Sequence, residues 1–330
     1  MNIADSDFIS LVLASREEKC DCFLTPELCP NSAALWYFAQ KTELNTAVIL
    51  PGHGFMPEFI YDDFNRNNLH FYPSSILYDL SFWESDKAKK IDEVVLLNAE
   101  LADDAEYGFL RDYTRIVDIR AGIPWYFHLV AVFSGHHNGD CNKFLTLFGC
   151  KNAVKVGSHE MFFSSELFAN SELQIDGIAE YLSYERDRTV VFCATRREAE
   201  VVSRKLIYRG ILNELFHGGL PDEKKEMLLK KFTQRMSLPV VATKSILQYS
   251  VFLPSAKPIC FGVPYSISHA ARMANFSPAA VCRVKCFYCA DDTDLMMKLN
   301  SSYAEQYADN PEYVIHRRNS DLLEMLKRII

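Results

Sequence analysis

The chain lacks any uninterrupted apolar run near the roughly 20 residues that a membrane-spanning helix requires. No transmembrane helix is therefore expected. Its first residues, MNIADSDFISLVLASREEKC, lack the basic start and small-residue cleavage site of a secretory leader. Ten cysteines are present, but they form no framework. CDC (Cys20, Cys22) and CFYC (Cys286, Cys289) are the only close pairs, which points to a reducing compartment. These absences predict a cytoplasmic protein, or a nucleoid or nuclear one in a eukaryotic source. Repeats and low-complexity tracts are also missing, which excludes solenoids and fibres.

A surplus of positive charge is lacking too. The net charge is -8 over 330 residues, and it is unevenly placed. Residues 1–150 hold 11 Lys and Arg against 22 Asp and Glu, a net of -11. The remaining residues hold 24 against 21, a net of +3. Indiscriminate nucleic-acid binders are usually basic, because neutralised phosphates supply most of their affinity. Only the second half of this chain can offer a basic face.

The hydrophobic share of 49% and the charged share of 24% are those of an ordinary globular protein. The length suits two domains of about 150 residues each. Short apolar runs alternate with segments of helical period. TAVILP, NLHFYP, EVVLLN, RIVDIR, HLVAVFSG and AVKVG read as strands of the first half. TVVFCA, LNELFH, LPVVAT, KPICFGVP and RVKCFYCA read as strands of the second. Runs that are apolar throughout suit parallel strands covered on both faces. Between them RREAEVVSRKLIYRG reads as a helix, with Ala199, Val202, Leu206 and Ile207 on one face. PDEKKEMLLKKFTQR is a second helix, with Asp222 and Glu223 in its first turn. The fold class is α/β, with mostly parallel sheets. A seam is placed within GSHEMFFSSELFAN (157–170), giving domains at 1–160 and 161–300 and a helical tail at 301–330.

Metal chemistry finds little support. His136 and His137 in GHHNGD are adjacent, so their side chains diverge, and no third ligand follows at metal-site spacing. His217 opens the turn HGGL and is read as serving it structurally. Cys286 and Cys289 would fall on opposite faces of a strand. No metal and no cofactor is expected. Most of the 23 Phe and 16 Tyr are read as core residues.

The segment TVVFCATRREAEVVSRKLIYRGILNELFHGGLPDEKKEMLLKKFTQRMSLPVVATKS (189–245) resembles the second motor lobe of a superfamily-two helicase. CFGVPYSISHAARM resembles the F-D-I-P…S-Y-Y-Q stretch of RecQ-type helicases, and CFYCADDTDLMMKL their next strand and helix. In the first half ILPGHGFM sits where the family has its phosphate loop, and FYPSSILYDL resembles the turn that touches the nucleic-acid backbone. The resemblance covers most of residues 25–300 and implies two tandem RecA-like lobes.

The departures decide the activity that the resemblance implies. A phosphate loop needs Lys on the β/γ-phosphates and a hydroxyl on Mg²⁺. The degenerate loop here, Gly52, His53, Gly54 and Met56, offers Met56 and Pro57 instead. The Asp-Glu pair expected to hold the metal falls on Leu97, Asn98, Ala99 and Glu100. The arginine motif is replaced around ARMANFSPAA, where only Arg272 is near. Such parts act as a unit in catalysis, so no ATP hydrolysis is expected.

The nucleic-acid contacts that the resemblance carries over are Ser74 and Ser75 in the first lobe. In the second they are Thr195, Arg196, Thr243 and Lys244. Hydroxyls and basic side chains are what phosphate contact requires; turn capping by Ser74, Ser75 and Thr243 is the alternative. The expected function is an inactive helicase-like protein that binds nucleic acid, DNA rather than RNA. It would work with a protein partner in a DNA-processing, repair, mobile-element or defence assembly. The rival is an adaptor that reuses the fold for protein binding, which the acidic first half favours.

Overall fold

The computed structural model describes residues 22–24, 44–50, 68–97, 99, 113–133, 146, 148, 153–155, 159–234, 238–253, 256–264, 269–270, 273, 276, 282–289, 292 and 313–317. The chain divides into two units, Met1–Gly157 and Ser158–Ile330.

The first unit is built on a parallel sheet of β1 (Cys22–Leu24), β2 (Thr46–Leu50), β3 (Leu69–Pro73), β4 (Glu93–Leu97), β5 (His128–Phe133) and β6 (Ala153–Lys155). Their order is β3-β2-β4-β5-β1-β6. β2 and β4 are buried at every position, which is why TAVIL and EVVLL carry no polar alternation. The two charged or hydroxyl exceptions pair with each other, the Thr46 hydroxyl donating to Glu93 Oε2 at 3.2 Å. A 3-10 turn at Ser74–Tyr78 and the short helix α1 (Leu80–Trp83) follow β3. Asp79 caps α1, accepting from Phe82 N at 3.1 Å. Trp83 stacks on Trp125 and packs beside Phe127, closing the core on this face.

RIVDIR, read from its sequence as a strand, forms the helix α2 (Arg115–Gly122) instead. Ile116 and Ile119, three residues apart, are both buried. That spacing serves a helix face, whereas a strand would present them on opposite sides.

The second unit carries β7 (His159–Phe168), β8 (Thr189–Cys193), β9 (Glu214–Phe216), β10 (Val240–Thr243), β11 (Lys257–Phe261), β12 (Cys282–Cys289) and β13 (Tyr313–Arg317). The order is β13-β7-β12-β11-β8-β10-β9, again parallel throughout. The helices α3 (Ser171–Tyr184), α4 (Arg196–Tyr208) and α5 (Asp222–Thr233) connect its strands. Ile175, Ile178, Ala199, Val202 and Leu206 bury one core with Val191, Val241, Ile259 and Phe287. Ile207, expected on this face, is 47% exposed. Ser203 takes its place, because a residue eight positions from Ala199 has rotated off the stripe.

The stretch placed at the domain seam is itself a strand. β7 has 10 residues and pairs with β12 on one side and β13 on the other. β13, Tyr313–Arg317, extends the second sheet between the two tail segments read as helical; β-branched and aromatic residues favour that state. The flanking tail segments SSYAEQYADN and DLLEMLKRII lie outside the described residues.

Candidate nucleic-acid interface

Parallel strands release all their connections at one carboxyl edge, and ligands bind there where the chain changes direction across the sheet. In the second sheet that point lies at β8. The chain runs from β8 to β9 and β10 on one side, then crosses to β11 and β12 on the other. The turns leaving β8, β9 and β10 carry most of the expected contact residues.

Thr195 follows β8 and caps α4. Its backbone is extended, and its hydroxyl oxygen accepts from Glu198 N at 3.1 Å. Glu198 reaches back to accept from Ala194 N at 2.6 Å, so T-R-R-E is a working capping box. Burial pushes the Glu198 carboxyl up, opposed by those backbone N–H groups and reinforced by Asp292. The Thr195 lone pair is thus committed to the helix, while the exposed side chain keeps its O–H as a donor toward solvent.

Arg196, also exposed, lays its guanidinium over the turn after β9. A β-carbon at Gly219 would stand 2.9 Å from its Nη1 and 3.3 Å from its Cζ. One at Gly218 would stand 3.6 Å from its Nη2 and 3.6 Å from Ser245 Cβ. The paired glycines of HGGL therefore admit the cation. His217 holds the turn from inside: Gly219 N donates to its Nδ1 at 3.2 Å. That bond assigns the proton to Nε2, which faces Glu200 Oε1 at 3.7 Å. Burial pushes the His217 ring down from its ordinary value; Glu200 opposes this, and Arg196, Lys224 and Lys225 add to it. A neutral histidine is the consequence, so its approach to Glu200 is a polar contact rather than an ion pair. Lys225 is ion-paired with Asp222 at 2.8 Å, so Arg196 and Lys224 are the cations beside the turn, facing Glu200.

Thr243 ends β10 and is buried, its hydroxyl 2.9 Å from that of Ser245. It organises the turn instead of facing solvent. Half-buried Lys244 opens the 3-10 segment Lys244–Phe252. Arg196, Gly218, Gly219, Ser245 and Thr243 are thus linked contact by contact. Residues not foreseen as parts of this site are Gly218, Gly219, Ser245 and the pair Lys224–Lys225. The doubled glycine in HGGL was the available signal.

In the first unit Ser74 is fully buried and Ser75 half-buried, at the start of the 3-10 turn. The Ser74 hydroxyl points into the fold, and Pro73, which precedes the turn, supplies no side-chain cap. Gly52, His53, Gly54, Met56, Pro57, Asn98, Glu100, His136, His137 and Arg272 lie outside the described residues. Among the described residues no group of three or more His, Cys, Asp or Glu is arranged to hold a metal ion. None of their helices is long and apolar enough to cross a membrane.

No family model and no curated protein sequence matches the chain. Solved structures do. Saccharomyces cerevisiae Dbp5 bound to RNA and ADP BeF3 is 14% identical, covering 98% of this chain and 85% of its own, with a TM-score of 0.56. DEAD-box helicase Mss116 bound to ssRNA and UDP-BeF is 15% identical, covering 97% and 70%, with a TM-score of 0.58. Mycobacterium smegmatis helicase Lhr bound to ssDNA and AMP-PNP is 11% identical, covering 93% and 45%, with a TM-score of 0.59. With two all-parallel sheets in tandem and these neighbours, the chain has a helicase-core fold, built as two RecA-like lobes.

Proposed function

We propose that this protein is an inactive helicase-like protein that binds nucleic acid through the carboxyl edge of its second lobe, without hydrolysing ATP. The observation that carries the reading is the placement of Arg196. Its guanidinium lies over an exposed Gly-Gly turn, with Lys224 near it and Lys244 on the next turn. Donors and positive charge are sufficient to hold a phosphodiester backbone.

Absence of hydrolysis rests on Met56 and Pro57 in the phosphate loop. It rests also on the strand end where metal-binding carboxylates are wanted. Leu97 and Ala99 there are apolar and wholly buried. DNA is preferred over RNA because CFGVPYSISHAARM resembles RecQ-type helicases. A protein partner within a nucleic-acid-processing assembly completes the proposal. The adaptor reading draws on one observation, the net charge of -11 in residues 1–150.

Fluorescence anisotropy with labelled single-stranded DNA, duplex DNA and single-stranded RNA, titrated with salt, tests the proposal. Micromolar or tighter binding with a steep salt slope, unchanged by ATP and Mg²⁺, is the expected result. No binding at low salt overturns it in favour of the adaptor.

A further inference from the structure

Gly219 is shared by two side chains. A β-carbon there would meet Arg196 Nη1 at 2.9 Å and His217 Nδ1 at 3.3 Å. The glycine N–H donates to that same Nδ1 at 3.2 Å. His217 is only 7% exposed, and its own carbonyl accepts from Leu220 N at 3.1 Å, which closes the turn around the ring. The place where Arg196 rests is therefore fastened from inside by one imidazole nitrogen.

That nitrogen accepts only while it carries no proton, since both nitrogens of an imidazolium are donors. Protonation would set an N–H against the Gly219 N–H and break the bond. The new charge would turn the contact of Nε2 with Glu200 Oε1, now 3.7 Å, into an ion pair. The charged groups acting on the ring are Glu200 and Arg196 from α4 and Lys224 and Lys225 from α5, with Lys225 held by Asp222. The turn after β10 brings the Ser245 hydroxyl to Gly218 and carries Lys244 next to it. Burial keeps the ring below its ordinary value of 6.5, so His217 is neutral above that pH and gains its proton only in acid.

We propose that His217 is a positioning residue for Arg196: its bare Nδ1 keeps the HGGL turn beneath the guanidinium, and protonation releases the turn and weakens nucleic-acid binding. This deepens, and rests on, the reading of the second lobe as a nucleic-acid interface. An added positive charge by itself favours a phosphate. Here that charge sits behind Gly219 and is taken up by Glu200, whereas the loss falls on Arg196. The loss is the larger effect.

The test follows binding of the full chain to labelled oligothymidine, whose bases do not titrate between pH 7.5 and 5.5, at constant ionic strength. Wild type, His217→Asn and His217→Phe are compared. An asparagine amide oxygen can stand where Nδ1 does and does not titrate; phenylalanine offers no acceptor. Wild-type affinity is expected to fall about 5-fold from pH 7.5 to 5.5, the size of one arginine–phosphate contact. His217→Asn binds as wild type does at pH 7.5 and keeps that affinity at 5.5, while His217→Phe is weak at both. In [15N]glycine-labelled protein the Gly219 amide signal follows the titration of the His217 ring in wild type and stays fixed in His217→Asn. Affinity that holds or rises in acid, a His217→Asn variant that loses affinity as wild type does, or a Gly219 amide indifferent to the ring overturns the proposal. Should His217→Phe fail to fold, the Asn variant and the amide signal still decide. No binding at any pH, beside an amide that follows the ring, overturns the nucleic-acid reading and retains the latch on the turn. Binding that ignores pH, beside an amide that does not titrate, overturns the latch and retains the nucleic-acid reading.

Discussion

The guanidinium of Arg196 lies so close over Gly219 that a β-carbon there would stand 2.9 Å from its Nη1. No real β-carbon tolerates that distance, so Gly219→Ala must displace the cation. The displaced group is the end of a flexible side chain, and folding should change little. Binding to labelled single-stranded DNA should weaken about 5- to 10-fold, the size of one phosphate contact to an arginine. The decisive measurement is a double-mutant cycle. In an Arg196→Ala background, Gly219→Ala should cost nothing further, because both changes remove the same contact.

Reversing charge at Arg196 and Lys244 together probes the same edge through salt. Each phosphate contact contributes about one unit to the slope of log K against log salt. Arg196→Glu/Lys244→Glu should abolish retention at moderate salt, and any residual binding should show a slope reduced by about two. Circular dichroism should be unchanged. A variant that binds as the wild type does would move the interface elsewhere.

Thr195 separates capping from contact. Thr195→Ala removes the acceptor for Glu198 N and should cost about 1 kcal/mol of stability by urea denaturation. Thr195→Asp keeps the cap and places negative charge at a helix N-terminus, so stability should be retained. The same aspartate beside Arg196 should weaken nucleic-acid binding several-fold. Equal stability of Thr195→Ala and wild type would remove Thr195 from the capping role.

Acid sensitivity should trace in part to Glu185. Its carboxylate accepts from Lys257 Nζ at 2.8 Å, Tyr181 O–H at 3.0 Å and the backbone N–H of Asp187 at 3.0 Å. Burial alone would raise this carboxyl; the lysine first, then the other donors, outweigh it and bring it down to about 2. A folded value below the unfolded one gives stability that is fully present above about pH 4.5 and is lost as pH falls toward 2. The shift sets an upper limit of about 3 kcal/mol, and exposure of Lys257 reduces it toward roughly 1–2. Glu185→Gln should therefore be less stable than wild type at pH 7, and the gap should narrow between pH 4.5 and 2. A gap independent of pH would overturn the assignment.

Much of this fold is carried by neighbours in sequence. TAVIL, EVVLL, TVVFC and VVAT are strands because each is apolar enough to be covered on both faces, and each is buried throughout. The Thr195–Glu198 box and the acidic first turn of α5 follow from residues three positions apart or fewer. RIVDIR misleads for a related reason. Its β-branched Ile116, Val117 and Ile119 suit a strand locally, and only packing against the sheet selects Ile116 and Ile119 as a helical face. β7 was read as a seam between domains and not as a strand, since β12 and β13, its partners, come more than 100 residues later.

Sequence alone determined the α/β alternation, the halves of opposite charge and the type of residue on each turn. Short-range sterics and burial decide those, and they act within a few positions. The tertiary structure decided which turns meet. Arg196 reaches Gly219, and Tyr113 reaches Ile49 and Leu97, because strand order brings distant carboxyl ends side by side. That order is fixed by pairing between strands far apart in the chain, and no local pattern encodes it.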